Sequence, residues 1–264
     1  MVKINDINQA SKLAFAHMKP GVLTNHVMTA AEYRAEIDAG TLYAYTWPGG
    51  VLFLRGREGY FQLSYCIVDE NVLPQCSLPE KLFTEIAFKP IGVDIAERGI
   101  KFWAQTGLAV AFRRVRLTRE GTVVSGHVQV GDCCVVLATL SDIEDCLMIL
   151  KTNFDPLTGY IPNYPELACD IENNCVLCLK DTGGAVCGLL RYIHKAASVE
   201  IRQLALHENM RGQGLAHKLL DAFVNSLNGK KSTVWVRDGY MPAIKAYNAA
   251  GFALDGWQSV VMTI

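Results

Sequence analysis

Hydrophobic and polar positions along this chain switch repeatedly between the two-residue period of a half-buried strand and the 3.6-residue period of an amphipathic helix. In the N-terminal half, a capped start at Asn5-Asp6 opens a helix running to about His17, and Thr29 caps a second over about Ala30 to Ala39 that stops at Gly40. Three strands follow, Thr41–Thr46, Val51–Gly56 and Tyr60–Val68, separated by Pro48-Gly49-Gly50 and Arg57-Glu58-Gly59. The stretch from Asp69 to Glu80 holds two prolines and no clear period, which predicts a loop. A strand at Leu82–Phe88, a helix from about Asp94 to Gln105 and a long strand from about Leu108 to Thr118 complete the half.

The second half restarts this programme. Cys133–Ala138 is an apolar strand, and Ser141-Asp142-Ile143-Glu144 is a capped helix start echoing Asn5-Asp6-Ile7-Asn8. Pro156 to Pro165 is a Pro/Gly/Tyr-rich connection, and Glu166 to Asn173 forms a short helix. Strands at Cys175–Lys180 and Ala185–His194 flank Asp181-Thr182-Gly183-Gly184, a hairpin signal. A strand at Val199–Leu206, a helix from Leu215 to Leu227 and a strand at Ser232–Val236 come next. The apolar stretch Gln258–Ile264 suits a final strand that completes a sheet within one chain or between two, so a homodimer is one outcome it allows. Aligning Gly107 with Gly251 sets Trp103 opposite Tyr247, a second echo between the halves. The pattern reads as an ancient duplication: two tandem domains, 1–128 and 129–264, joined near Glu120–Gly131. Mixed helices and strands predict an α/β fold of α+β layering, with a central, mostly antiparallel sheet flanked by helices.

Composition narrows the field. A chain of 264 residues suits two domains of about 130 each. With 50% hydrophobic and 19% charged residues it has material for two cores. A formal net charge of −1 gives no reason to expect a nucleic-acid or membrane partner. No apolar run approaches the roughly 18–20 residues of a spanning helix. Met1-Val2-Lys3-Ile4-Asn5-Asp6 also lacks the apolar core of a signal peptide, so a soluble cytoplasmic protein is expected. Among the nine cysteines, Cys175 and Cys178 form a C-x-x-C on a predicted strand, where residues three apart point to opposite faces. No second Cys/His pair stands at metal spacing. Reduced, buried thiols and no bound metal are expected.

The chemistry concentrates in Arg211-Gly212-Gln213-Gly214-Leu215-Ala216, between a strand and a helix. Two glycines let the backbone turn tightly, and the first turn of the helix points unpaired N–H groups into the gap, where the helix dipole favours an anion. No Lys-Ser/Thr pair follows, which excludes a Walker-type loop. The dinucleotide fingerprint lacks its third glycine, His217 and Lys218 standing there instead. A plain strand–helix connection is the competing reading. Val199 to Leu220 resembles motif A of the GNAT-type N-acetyltransferase superfamily. Leu204-Ala205-Leu206 is its hydrophobic-x-hydrophobic triplet, and Arg211, Gly214 and Ala216 fill its [Gln/Arg]-x-x-Gly-x-[Gly/Ala] element. Ala243 to Phe252 resembles motif B, a short helix carrying a tyrosine and closing on Gly-Phe.

This resemblance implies an acyl-CoA N-acyltransferase fold in two copies, the first degenerate: it lacks the glycine element and the motif B tyrosine. Acetyl-CoA would be the co-substrate. Its pyrophosphate would sit on the amides of Gly212, Gln213, Gly214, Leu215, Ala216 and His217, and its pantetheine amides would pair with the backbone of Leu204 and Leu206. An N–H near Leu206 would face the thioester oxygen. For that arm to enter, the strand carrying Leu204 and the Val234–Val236 strand would splay apart. Tyr247 matches the family's general acid. Glu200, six residues before Leu206 and of even parity, would share its sheet face and suits a general base; a carboxylate paired with Arg202 is the equal alternative. His207 is a lesser candidate for proton relay. Where the family commonly has an asparagine that contacts the CoA arm, this chain has Tyr240, a departure from the family pattern at that one contact.

The function implied is transfer of an acetyl group from acetyl-CoA to a primary amine by direct attack in a ternary complex. A non-catalytic acyl-CoA-binding module, or transfer of a different acyl group, uses the same cradle. The acceptor would be a small-molecule or peptide amine, with Tyr160 and Tyr164 as candidate lining residues.

Overall fold

Residues 1–89, 95–121 and 133–264 are described by a computed structural model, in which the chain divides into two units: Met1–Arg114 with Trp257–Ile264, and Val115–Gly256. The first contains β1 (Val2–Lys3), α1 (Ile7–His17), β2 (Leu23–Thr24), α2 (Ala30–Asp38), β3 (Leu42–Trp47), β4 (Gly50–Arg57), β5 (Tyr60–Ile67), β6 (Leu82–Phe88), α3 (Ile95–Ala104) and the start of β7 (Ala109–Arg119). The sequence signals act where expected. Asp6 caps α1 by accepting the Asn8 amide at 3.0 Å, and Thr29 and Glu32 close a reciprocal box at the start of α2. The expected start of α3 at Asp94 lies outside the described residues.

The second unit contains β8 (Cys134–Leu137), a 3₁₀ turn at Leu140–Asp142, α4 (Ile143–Asn153), α5 (Tyr164–Glu172), β9 (Val176–Lys180), β10 (Val186–His194), β11 (Val199–Leu206), a 3₁₀ turn at Glu208–Met210, α6 (Leu215–Ser226), β12 (Ser232–Arg237), α7 (Met241–Ala249) and the start of β13 (Ala253–Thr263). Its order of main elements follows that of the first unit with two main changes: α6 stands where the first unit has only the irregular segment from Val68 to Lys81, and no strand between α4 and α5 answers to β2.

Strands run in the order β1–β3–β4–β5–β6–β13 in the first unit and β7–β12–β11–β10–β9–β8 in the second. Pairing is mostly antiparallel, but β5–β6 and β11–β12 are parallel. Each sheet is covered on both faces. In the first unit, α1 and α2 cover Val51, Phe53 and Cys66, while Phe102 and Trp103 of α3 cover Leu63, Tyr65, Val260 and Met262. In the second, α4 and α5 cover Val176, Cys178 and Ala205. On its other face lie α6 and α7, where Leu215, Leu219, Leu220, Phe223 and Val224 form one buried stripe of α6. Each such side chain contributes on the order of 2 kcal/mol.

The units differ from the halves 1–128 and 129–264 at their last strands. β7 begins in the first unit and ends in the second, whereas Gln258–Thr263 of β13 pair antiparallel with Phe83–Phe88 in the first. Ser259, Val260, Val261 and Met262 are fully buried, so β13 needs a sheet covered on both sides, and β6 supplies the edge. The expected join at Glu120–Gly131 falls largely on residues outside those described. All nine cysteines are free thiols; Cys175 and Cys178 face opposite cores, as alternation requires. The expectation of buried thiols is met at Cys66, Cys146, Cys175, Cys178 and Cys187 and corrected at Cys134 and Cys169, which are exposed, and at Cys76 and Cys133, which are half-buried.

One polar cluster inside the first unit has a pH consequence. His26 is 5% exposed, stacks on Phe53 at 4.3 Å, meets Ser64 Oγ through Nδ1 at 2.8 Å and bonds Tyr33 through Nε2. Burial, helped by the charge of Arg55, pushes the imidazole down to about 4. The folded state therefore holds neutral histidine where the unfolded chain is protonated. Its contribution is complete above the unfolded value of about 6.5 and is lost as pH falls toward 4, a change of about 3 kcal/mol. Urea unfolding should show this loss between pH 7 and pH 4, and His26→Gln should flatten that segment of the profile. An unchanged slope in the variant would contradict the assignment.

Candidate functional site

Where β11 and β12 part company, the second unit has a fork. They pair only over Val199–Ile201 against Ser232–Val234, although β11 continues to Leu206 and β12 to Arg237. On its other edge β11 stays paired with β10, but the register slips: Ile201 opposes Tyr192 and Gln203 opposes Arg191, leaving Arg202 as a bulge. Beyond the bulge, His207 N–H donates to Cys187 O at 2.8 Å. Antiparallel alternation then directs Ala205 and Gln203 toward β10, and turns the N–H and C=O of Leu204 and Leu206 away from it, to the side that β12 has left.

The open edge leads into the glycine turn. Gly212 and Gly214 both have φ +75°, a left-handed conformation that suits glycine, and Gly214 is the N-cap of α6 with no side chain capping it. Met210 N–H bonds His207 O, Arg211 N–H bonds Glu208 O, and His217 N–H bonds Gly214 O. Among the described residues, the amides of 212 to 216 donate to no protein oxygen. A Cβ at Gly212 or Gly214 would meet nothing within 4 Å, so the space before these amides is open. Arg211 is exposed and donates through Nη2 to Asn153 Oδ1 at 2.7 Å, which ties the turn to the end of α4. Gln213 Nε2 donates to Asn209 O at 2.9 Å, and His217 is exposed. Leu215 is buried in the core below, with Ala216 packed beside it.

Tyr247 lies on α7 with its ring against Phe252 at 5.5 Å and is 5% exposed. Burial pushes its phenol well above the ordinary range, so it holds its proton. Its hydroxyl bonds no other described residue. Tyr240, the N-cap of α7, is exposed; its N–H donates to Arg237 O at 3.1 Å and its carbonyl accepts from Ile244 N–H at 3.2 Å. His207 is exposed, Nδ1 beside Asn209 Oδ1 at 2.8 Å.

Glu200 does not share the sheet face of Leu206, as even parity had suggested. Val199, Ile201 and Leu206 face the α6–α7 core and Leu204 packs against it, whereas Ala205 faces the α4–α5 core. The bulge at Arg202 reverses the alternation, so Glu200 stands on the opposite face from Leu206, the face where Gln203 Nε2 reaches Gly159 O and Tyr160 O at 2.9 and 2.8 Å. There Glu200 Oε1 accepts from Arg202 Nη1 at 2.7 Å, and the Arg202 guanidinium lies 4.6 Å over the Tyr160 ring. A bulge of one residue leaves no mark in the alternation of Val199–Leu206, and this is why it escapes a reading of the sequence. Tyr160 itself has φ +52°, and Tyr164 is exposed at the start of α5.

A family model described as the acetyltransferase (GNAT) family matches residues 144–252. The second unit carries a GNAT domain. No curated protein matches the sequence. Solved structures do resemble it. A GCN5-related N-acetyltransferase from Sphaerobacter thermophilus is 10% identical, with 82% of this chain and 76% of that chain covered and a TM-score of 0.59. A GNAT-family acetyltransferase from Colwellia psychrerythraea is 11% identical over 99% of this chain and 97% of that one, with a TM-score of 0.55. A tandem GNAT protein from the clavulanic acid biosynthesis pathway is 12% identical over 85% and 83%, with a TM-score of 0.54. At such identities the likeness establishes the fold, the acyl-CoA N-acyltransferase type.

The GNAT domain's glycine turn gives a direct prediction. Gly214→Glu adds a bulky anion at a left-handed position in front of the free amides. It should weaken CoA binding by about a hundredfold or more in titration calorimetry, at a cost of about 1 kcal/mol in stability. Unchanged affinity would remove the turn from the binding site.

Proposed function

We propose that this chain is an N-acetyltransferase that moves the acetyl group of acetyl-CoA to a primary amine by direct attack in a ternary complex. The carrying observation is the fork: an unpaired strand edge at Leu204 and Leu206 runs into a turn whose amides at 212 to 216 have no protein acceptor among the described residues. These donors match the co-substrate in type and order, an extended arm of amides followed by a diphosphate. Leu204, Ala205 and Leu206 would hold the arm. Arg211, Gly212, Gln213, Gly214, Leu215, Ala216 and His217 would hold the diphosphate, with Tyr240 at the far rim. When bound, acetyl-CoA supplies an activated acyl thioester.

The protein's own groups then do three things. The amide at Leu206 donates to the thioester oxygen as negative charge grows on it. Tyr247, protonated because it is buried, gives its proton to the departing sulfur. Glu200 takes the proton of the acceptor ammonium from the α4–α5 face, with Arg202 as its charged partner. The first unit has no helix between β5 and β6 to present a diphosphate site, and we read it as a degenerate copy that offers a supporting surface. No described helix is long and apolar enough to cross a membrane, and we read the protein as cytoplasmic.

Incubation with acetyl-CoA and a panel of amines should release free thiol. Binding of CoA with no thiol release across a broad panel would mark a non-catalytic module, and release from other acyl-CoA esters alone would change the acyl group. Tyr247→Phe should lower kcat about 10²-fold with KM for acetyl-CoA unchanged. Glu200→Gln should lower kcat by a similar factor. If Glu200 only pairs with Arg202, that variant will instead keep kcat within a few fold and lose thermal stability.

A further inference from the structure

The first unit contains the same fork as the second, and the chain itself fills it. Parallel pairing of β5 with β6 covers Phe61–Leu63 against Leu82–Thr84 and stops there, three pairs long like its counterpart in the second unit. Val68 N–H donates to Gly49 O at 2.9 Å on the β4 side. Alternation therefore turns the N–H and C=O of Leu63, Tyr65 and Ile67 toward the side that β6 leaves. In this unit Tyr65 and Ile67 take the places that Leu204 and Leu206 take in the other. Tyr65 faces the α3 core, as Leu204 packs against the α6–α7 core, and Trp103 takes the place of Tyr247.

These groups are already bonded. β2 lies antiparallel to β5, with Leu23 opposite Ile67 and Thr24 opposite Cys66. Tyr65 N–H donates to Asn25 Oδ1 at 2.9 Å, and Tyr65 O accepts from Thr24 Oγ1 at 2.6 Å. Asn25 Nδ2 donates across the fork to Thr84 Oγ1 at 2.8 Å and Glu85 O at 3.0 Å. An extended backbone and two side-chain amide and hydroxyl groups thus occupy the open edge of β5.

We propose that Leu23–Asn25 is a built-in substitute for an acyl-carrier arm, sealing the first unit so that each chain binds one acyl-CoA, in the second unit alone. This deepens the acyl-CoA reading and rests on it for the stoichiometry, but not for the plug. The plug satisfies the fork's backbone permanently, whereas the other fork is satisfied only on binding. Hydrogen exchange on the intact protein separates the two. In free protein, the Tyr65 amide should exchange slowly and the Leu204 and Leu206 amides fast. Acetyl-CoA should slow Leu204, Leu206 and residues 212 to 216 and leave Tyr65 and Ile67 unchanged, with calorimetric saturation at one equivalent. Asn25→Ala, checked for native circular dichroism, should speed exchange at Tyr65 about tenfold or more. Fast exchange at Tyr65 in free wild type overturns the plug, as do two equivalents bound or ligand protection at Tyr65. If acetyl-CoA binds nowhere, the acyl-CoA reading fails while slow exchange at Tyr65, lost in Asn25→Ala, still upholds the plug.

Discussion

A parallel strand pair that separates partway along leaves backbone N–H and C=O groups with no partner, and buried backbone groups must find one. This chain meets that requirement in two ways. In the first unit, Thr24 and Asn25 supply the missing donors and acceptors from within. In the second, the edge at Leu204 and Leu206 is left by β12 and runs into the glycine turn, whose amides have no acceptor among the described residues. Two units of similar element order thus differ at this point: one fork is bridged by its own chain, and the other leaves its strand edge open.

Local backbone features concentrate at the open fork. The bulge at Arg202 pulls β11 away from strict alternation, and two left-handed glycines start α6 without a side-chain cap. A cap residue at Gly214 would satisfy one amide and stabilise the helix by about 1 kcal/mol; its absence leaves the donor free. The stripe of Leu215, Leu219, Leu220, Phe223 and Val224 holds α6 in place despite the missing cap. Burial of Tyr247 similarly keeps a proton on a group whose hydroxyl has no described partner.

Much of this was legible in the sequence because it is local. Caps at Asp6 and Thr29, the hairpin at Asp181–Gly184, the glycine turn and the family motifs each depend on a few neighbouring residues. Two echoes in the sequence suggested a duplication, and the second unit follows the first unit's order of main elements apart from β2 and α6. What escaped was non-local. The exchange of last strands depends on which edge is open to β13, which no stretch of sequence records. The face of Glu200 depended on a bulge that hydrophobic alternation does not reveal. The plug at Leu23–Asn25 is a strand of two residues, Leu23–Thr24, and the asparagine after it, too short for any period, and its meaning comes from Tyr65 and Thr84, far along the chain.

The most direct test of the account is a crystal structure of the protein grown with acetyl-CoA. Ligand density should lie between β11 and β12, with pantetheine amides bonded to the backbone of Leu204 and Leu206 and the pyrophosphate on the amides of 212 to 216. Density located elsewhere, or a bound ligand that leaves those backbone groups unpaired, would contradict it.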